Sequence, residues 1–220
     1  MITNYKILYY YSFEDSCYLA TIPDLPGCIA DGQTIEEAVK NVRLLSEDWI
    51  EIAKKAGNDI PSPTCQTLDI NDININDVAV YILNKLGKIT TKTLQKLLYY
   101  CKAWSTAWYA KPLFPEQFEA WVHGPINREL FNKHSGARIA DVNMFKNNTT
   151  KDLSVSQKQF VDTILDVYDD IDAETLEKMT HKENPWVIAR GDAKPNERGN
   201  NEISEESLKK YYGIVVASQL

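Results

Sequence analysis

Long apolar runs are missing from this chain: none approaches the ~20 residues that span a bilayer, and the opening MITNYKILYY lacks the basic and apolar segments of a secretory signal. Neither a membrane span nor a membrane partner is expected, and the cytoplasm is the expected location. Cysteine is sparse, with four residues at 17, 28, 65 and 101 and no Cys-x-x-Cys pair. The three histidines, at 123, 134 and 181, are scattered. This pattern gives no disulfide framework and no zinc site, so the cysteines read as reduced thiols, and no metal or cofactor is expected. A basic excess is absent too. The net charge is −7, and residues 1–63 hold five basic and ten acidic side chains against nineteen and twenty-one in residues 64–220. Nucleic-acid surfaces normally carry a basic stripe, so nucleic acid is not an expected partner, whereas a basic protein surface is compatible.

Residues 94–125 carry a dense set of tryptophans and tyrosines and end in Trp121-Val122-His123-Gly124-Pro125. Leu94, Leu97, Leu98, Cys101, Trp104 and Trp108 recur at three- and four-residue intervals, the spacing of one buried helix face. Lys96, Tyr99, Tyr100 and Lys102 point elsewhere on that helix. A tyrosine has an apolar ring and a polar tip, so this second face is either further core or a surface that grips a partner.

Before this segment, Lys6 to Phe13 and Tyr18 to Ile22 flank the polar turn Glu14-Asp15-Ser16 and read as an antiparallel hairpin. Pro23 to Cys28 is a bend, and a third short strand follows at Cys28 to Asp31. Thr34 and Glu37 fit a capping box. The helix that follows has Ile35, Val39, Val42, Leu45, Trp49, Ile52 and Ala56 on its expected buried face and stops at Gly57. The run Tyr18 to Cys28, then Gly32-Gln33-Thr34, Glu36-Glu37-Ala38, Asn41 and Ile60-Pro61-Ser62-Pro63 resembles the HicB antitoxin family. The resemblance implies a partial RNase H-like β-β-β-α unit that blocks a small RNA-cleaving toxin. It does not imply catalysis. Neighbouring carboxylates such as Glu36/Glu37 and Glu47/Asp48 diverge on a helix and cannot jointly hold a metal.

Residues 64–74, rich in turn formers, read as a linker between a domain at 1–63 and one at 75–220, with weak strand character at Thr64 to Ile70. The second domain reads as mostly helical, which makes the whole chain α+β. Helix starts are expected at Asn76, at Thr90 or Thr91, at Ser154 with Gln157, at Asn184-Pro185 and at Ser204. Gln117 to Val122 reads as a short strand or extended connector, Gly124-Pro125 turns into a helix bearing Ile126, Leu130 and Phe131, and residues 191–201 form an exposed, mobile loop.

Leu94 to Tyr100, Trp104, Pro112-Leu113-Phe114, Phe118 to Pro125 and Thr180 to Trp186 together resemble the Panacea, or SocA-like, antitoxin domain. That resemblance implies a module that neutralises a protein toxin of RNA-targeting or nucleotide-modifying chemistry. The expected toxin contacts are Lys96, Tyr99, Tyr100, Trp121, His123, Gly124 and Pro125. The first domain either adds a second toxin contact or makes a homodimer through its sheet edge.

His123 could exchange protons near neutral pH, but no nucleophile has a base and an orienting acid beside it, so no catalytic residue is assigned and no enzyme activity is expected. His123 is instead expected to hold the turn against Trp121, Lys96 to pair with Glu119, and Glu183 to favour a helix start. The alternative function is an adaptor that delivers a bound partner to an energy-dependent protease through the apolar tail 214–220.

Overall fold

A computed structural model describes residues 5–70, 73–134, 136–194 and 196–214. They form two compact units, the first of residues up to Gln66 together with Ile214 and the second of Thr67–Gly213.

The first unit is a three-stranded antiparallel sheet and one helix. β1 (Leu8–Ser12) pairs with β2 (Cys17–Thr21), Leu8 opposite Thr21 and Ser12 opposite Cys17. β2 also pairs with β3 (Ile29–Gly32), Tyr18 opposite Gly32, giving the order β1-β2-β3. Between β2 and β3 the prolines leave only a few donors, and these close on one another: Cys28 N–H reaches Leu25 C=O and Ile22 N–H reaches Cys28 C=O.

Helix α1 (Ile35–Ala56) then packs on this sheet. The Thr34 hydroxyl accepts from Glu37 N–H, while the Glu37 carboxylate reaches Gln33 N–H, one residue before the cap amide expected from the sequence. A Cβ on Gly32 would lie 2.3 Å from Ala38 N, so the close approach of β3 to α1 requires glycine there.

The buried face of α1 differs from the expected one beyond Val42: Ser46 and Ala53 are buried, while Leu45, Ile52 and Ala56 are exposed. The expected face has a repeat of about 3.5 residues, whereas a straight helix advances 3.6 and turns away from that seam by about 20° every seven residues, so the mismatch grows along the helix. Twenty-two helical residues also extend about 33 Å, and five-residue strands about 17 Å, so the far end of the helix outruns the sheet.

The second unit, Thr67–Gly213, is mostly helical. α2 (Ile75–Leu86), the short strand β4 (Ile89–Thr90) and α3 (Thr91–Tyr109) come first. A hairpin of β5 (Glu119–Trp121) and β6 (Gly124–Ile126) follows, then α4 (Arg128–Lys133) and β7 (Ile139–Ala140), which pairs with β4. After a 3-10 turn at Val142–Phe145 the chain runs through α5 (Val155–Tyr168), α6 (Ala173–Lys182), α7 (Asn184–Arg190) and α8 (Glu205–Tyr212).

Thr90, Ser204 and the Ser154/Gln157 capping box stand where the sequence puts them. Two caps shift. Asn74, not Asn76, caps α2, and Glu183 precedes α7, with Asn184 already helical. No strand forms over the described residues 64–70. Instead Asp69 is tied to the start of α5, its N–H to Ser156 Oγ and its C=O to Gln157 Nε2 at 2.7 Å, so part of the expected linker belongs to the second unit. Of the tail 214–220, all but Ile214 lies outside the described residues. No described helix is long and apolar enough to cross a membrane.

The Asp77 carboxylate is 1% exposed and serves two chains of contact, accepting Asn74 N–H to complete the α2 cap and Lys151 N–H to anchor the lead into α5, both at 2.8 Å. Asp77→Ala removes both acceptors and leaves two part-buried N–H donors without them. It is expected to destabilise the second unit by about 2–4 kcal/mol, read as a lower midpoint in urea unfolding of the full chain.

Candidate functional site

Fifteen of the nineteen residues of α3 are buried, which places it at the centre of its unit rather than at a surface. Its apolar side chains make the expected core. Trp104 stands edge-on to Tyr212, and its indole N–H donates to the Tyr168 hydroxyl at 3.0 Å. Buried polar groups must find partners, and those of α3 find them largely in loop backbone. Lys102 Nζ donates to the carbonyls of Phe114, Pro115 and Glu116. The Ser105 hydroxyl accepts Leu113 N–H. Gln95 exchanges two hydrogen bonds with the Asn127 backbone.

Lys96 does the same for the β5–β6 turn. Its fully buried ammonium donates to His123 C=O at 2.6 Å and Pro125 C=O at 3.0 Å, with Gly124 between them. Burial holds this amine down to about 7, against the raising influence of Glu177 and Glu183. Gly124 has φ +88°, and a Cβ there would lie 2.7 Å from Thr180 Oγ1 and 2.9 Å from Lys96 Nζ. Only glycine lets the turn close over the ammonium.

Behind the hairpin, Glu183 joins three helices. One carboxylate oxygen accepts from Tyr100 of α3 at 3.0 Å and the other from Tyr212 of α8 at 2.6 Å. Burial pushes this carboxyl up to about 8, although the two hydroxyls favour its charged form. Tyr100 also stacks on Tyr168, the ring centroids 4.1 Å apart.

In front of the hairpin lies a groove of about 920 Å³ whose walls include Lys92, Trp121, His123, Arg128, Phe131 and Arg198. Its cations are steered by carboxylates set beneath them. Glu177 accepts from Lys92 at 2.6 Å and faces His123 Nδ1 at 3.0 Å. Burial raises the Glu177 carboxyl, but hydrogen bonds from Lys92 and His123 outweigh it and leave the group below its ordinary value. Glu119 takes both ends of the Arg128 guanidinium fork, at 2.8 and 2.5 Å, and the Trp121 indole N–H at 2.8 Å. Its carboxyl is likewise raised by burial and lowered further by Arg128 and Trp121. Arg128 lies over the Trp121 ring, 5.2 Å from its centroid. Among the described residues no group of His, Cys, Asp and Glu is arranged to hold a metal ion, and all four cysteines are buried, none of them in a disulfide.

Residues 5–94 match the family model described as a HicB-like antitoxin of bacterial toxin-antitoxin systems, and residues 94–187 match that of the SocA-like antitoxin, Panacea domain. The chain joins a HicB-like antitoxin domain to a SocA-like Panacea domain. Two curated relatives align with about a quarter of the chain. A UPF0150 protein of Synechocystis is 36% identical over 59 residues, which is 27% of this chain and 80% of the relative. A UPF0150 protein of Thermoplasma acidophilum is 33% identical over 58 residues, 26% of this chain and 84% of the relative. No solved structure matches. The HicB-like match runs past Gln66 through α2, whereas the first compact unit is continuous only to Gln66.

Within the Panacea unit, the expected contact residues separate into two sets. Trp121 is half-buried and His123 exposed, both on the groove wall. Lys96, Tyr99 and Tyr100 are fully buried, and Gly124 and Pro125 are buried beneath the turn. In this structure these five lie beneath the surface: Lys96, Tyr99 and Tyr100 sit on a helix packed on all sides, which has no exposed stripe, and Gly124 and Pro125 are covered within the β5–β6 hairpin. Two pairings are corrected. Glu119 pairs with Arg128 and not Lys96, whose ammonium is taken by carbonyls. The His123 ring meets Glu177 rather than bracing Trp121, and Trp121 is held by its C=O, which accepts from Trp186 Nε1, and by the Phe131 ring.

The loop 191–201 is less free than its composition suggests. The Arg190 guanidinium binds the carbonyls of Lys194 and Glu197, and Asn201 C=O accepts Ala120 N–H on the outer side of β5. Lys92, Arg128 and Arg198 carried no spacing signal that could have assigned them to one groove.

Gly124→Ala is expected to destabilise the chain by about 2–4 kcal/mol in urea unfolding, because it combines a positive φ with two contacts that cannot both yield. Glu183 yields a pH prediction. Its folded carboxyl keeps a proton that the unfolded chain releases above 4.5, so its contribution to stability falls as the pH rises from there towards about 8. Lys96 opposes this only above about 7, where the unfolded chain keeps the proton that the folded one has lost. The stability advantage of wild type over Glu183→Gln should thus narrow between pH 5 and 7, by at most about 1.4 kcal/mol per pH unit, as followed by denaturant titrations at each pH.

Proposed function

We propose that this chain is the antitoxin of a toxin-antitoxin pair, that it acts in the cytoplasm by binding its toxin directly, and that it performs no chemistry of its own. Antitoxin families over both halves support the reading. The observation that carries the site assignment is the preorganised hairpin: Trp121 and His123 face the groove while Lys96, Gly124 and Glu177 immobilise them from behind. A contact surface fixed before binding loses little entropy when its partner docks. The toxin on this reading is an RNA-targeting or nucleotide-modifying enzyme whose active surface is covered.

The HicB-like unit contributes either a second contact to the same toxin or a junction with a second copy. Supporting this, β1 and β3 each have one edge without a partner strand among the described residues.

Co-expression with the neighbouring open reading frame tests the proposal. Wild type should relieve growth arrest and co-purify with the toxin. Trp121→Ala should weaken that complex by about 2 kcal/mol or more, roughly thirtyfold, measured by calorimetry. An unchanged affinity removes the hairpin from the interface, and the absence of any complex removes the antitoxin reading.

A further inference from the structure

We infer that the groove in front of the β5–β6 hairpin receives an acidic, aromatic-bearing segment of a partner protein; the inference rests on the antitoxin reading for that partner's being the toxin. Lys92, Arg128 and Arg198 line the groove together with His123, and among the described residues no carboxylate does. This is a cationic wall on a chain of net charge −7. The two carboxylates nearest these cations are sunk beneath them, with Glu119 side-chain exposure 16% and Glu177 17%. They align the Lys92 and Arg128 side chains and cancel part of their charge. Arg198 is exposed and, among the described residues, joins no ion pair in the structure.

The surplus is therefore small, suited to one or two carboxylates. A phosphate cradle would gather free backbone N–H groups. Here the first N–H groups of α3 are already engaged, Thr91 with Arg138 C=O and Thr93 with Thr90 Oγ1. The apolar part of the wall, the rings of Trp121 and Phe131 with Ile126 beside them, offers apolar and aromatic surface to an aromatic side chain. A groove of about 920 Å³ accommodates a few residues of extended chain.

The test uses the full-length protein and a labelled glutamate–tyrosine copolymer followed by fluorescence anisotropy, with polylysine and ADP as comparison probes. The copolymer should bind, more weakly at high salt, and the double variant Arg198→Glu, Lys92→Gln should bind it about tenfold less tightly. Lys210→Glu, on α8 outside the groove, shifts the net charge by the same amount as Arg198→Glu and should leave binding unchanged. Copolymer binding that is equal in wild type and the double variant overturns the inference. So does ADP binding that outcompetes the copolymer and is lost in the double variant, which would make the groove a phosphate site. If the copolymer binds as expected while the chain fails to relieve growth arrest, the groove chemistry stands and the antitoxin reading falls. If arrest is relieved equally by wild type and the double variant and the copolymer does not bind, the antitoxin reading stands and the groove inference falls.

Discussion

The ammonium of Lys96, sealed inside the Panacea unit and donating to the carbonyls on either side of Gly124, fixes the geometry on which the candidate site depends. Removing a cation from water costs several kcal/mol, and the structure offsets part of that cost with two carbonyl dipoles at hydrogen-bond distance and with the Glu177 carboxylate nearby. The arrangement is directional. Carbonyl lone pairs point the turn inward, so His123 and Trp121 must face outward onto the groove. Glycine at 124 is a condition of the same contact, since any side chain would occupy the space of the ammonium.

Helix α3 extends this logic along its length. A helix buried on all sides is usually apolar on all sides, yet this one carries Gln95, Lys96, Lys102, Ser105 and Thr106 into the interior. Gln95, Lys96, Lys102 and Ser105 hold loop backbone that would otherwise lie against the core with its polar groups unmet. The polar half of the helix thus fixes the connections, and the apolar half fixes the helices. Glu183 closes the structure by drawing Tyr100 and Tyr212 to one carboxylate, which docks α8 against α3.

Local chemistry made much of the fold legible. The turn at Glu14 to Ser16, the bend at Pro23 to Cys28, the Thr34, Thr90, Ser154 and Ser204 caps and the Gly57 stop each depend on residues within a few positions of one another, and each stands close to where the sequence implies. The α1 face went astray after Val42 because a small error in helical period grows with length, and Asn74 displaced Asn76 because two asparagines two residues apart offer the same cap. The site was half legible. Trp121, His123 and Gly124 announce a special turn, but the partners that define its surroundings, Lys92, Arg128, Glu177 and Arg198, come from four separate stretches of chain.

By itself the sequence determined the α+β class, the β-β-β-α start, the helical second half and both antitoxin resemblances, because these rest on periodicity, caps and short motifs whose causes are local. Only the tertiary structure decided that Tyr99, Tyr100 and Lys96 are platform and not surface, since burial depends on what packs against the second face of α3 and no residue of that helix specifies it alone. It likewise decided that an acidic chain presents a cationic groove: net charge is a sum over composition, whereas a groove's charge depends on which side chains the fold brings within a few ångströms of one another.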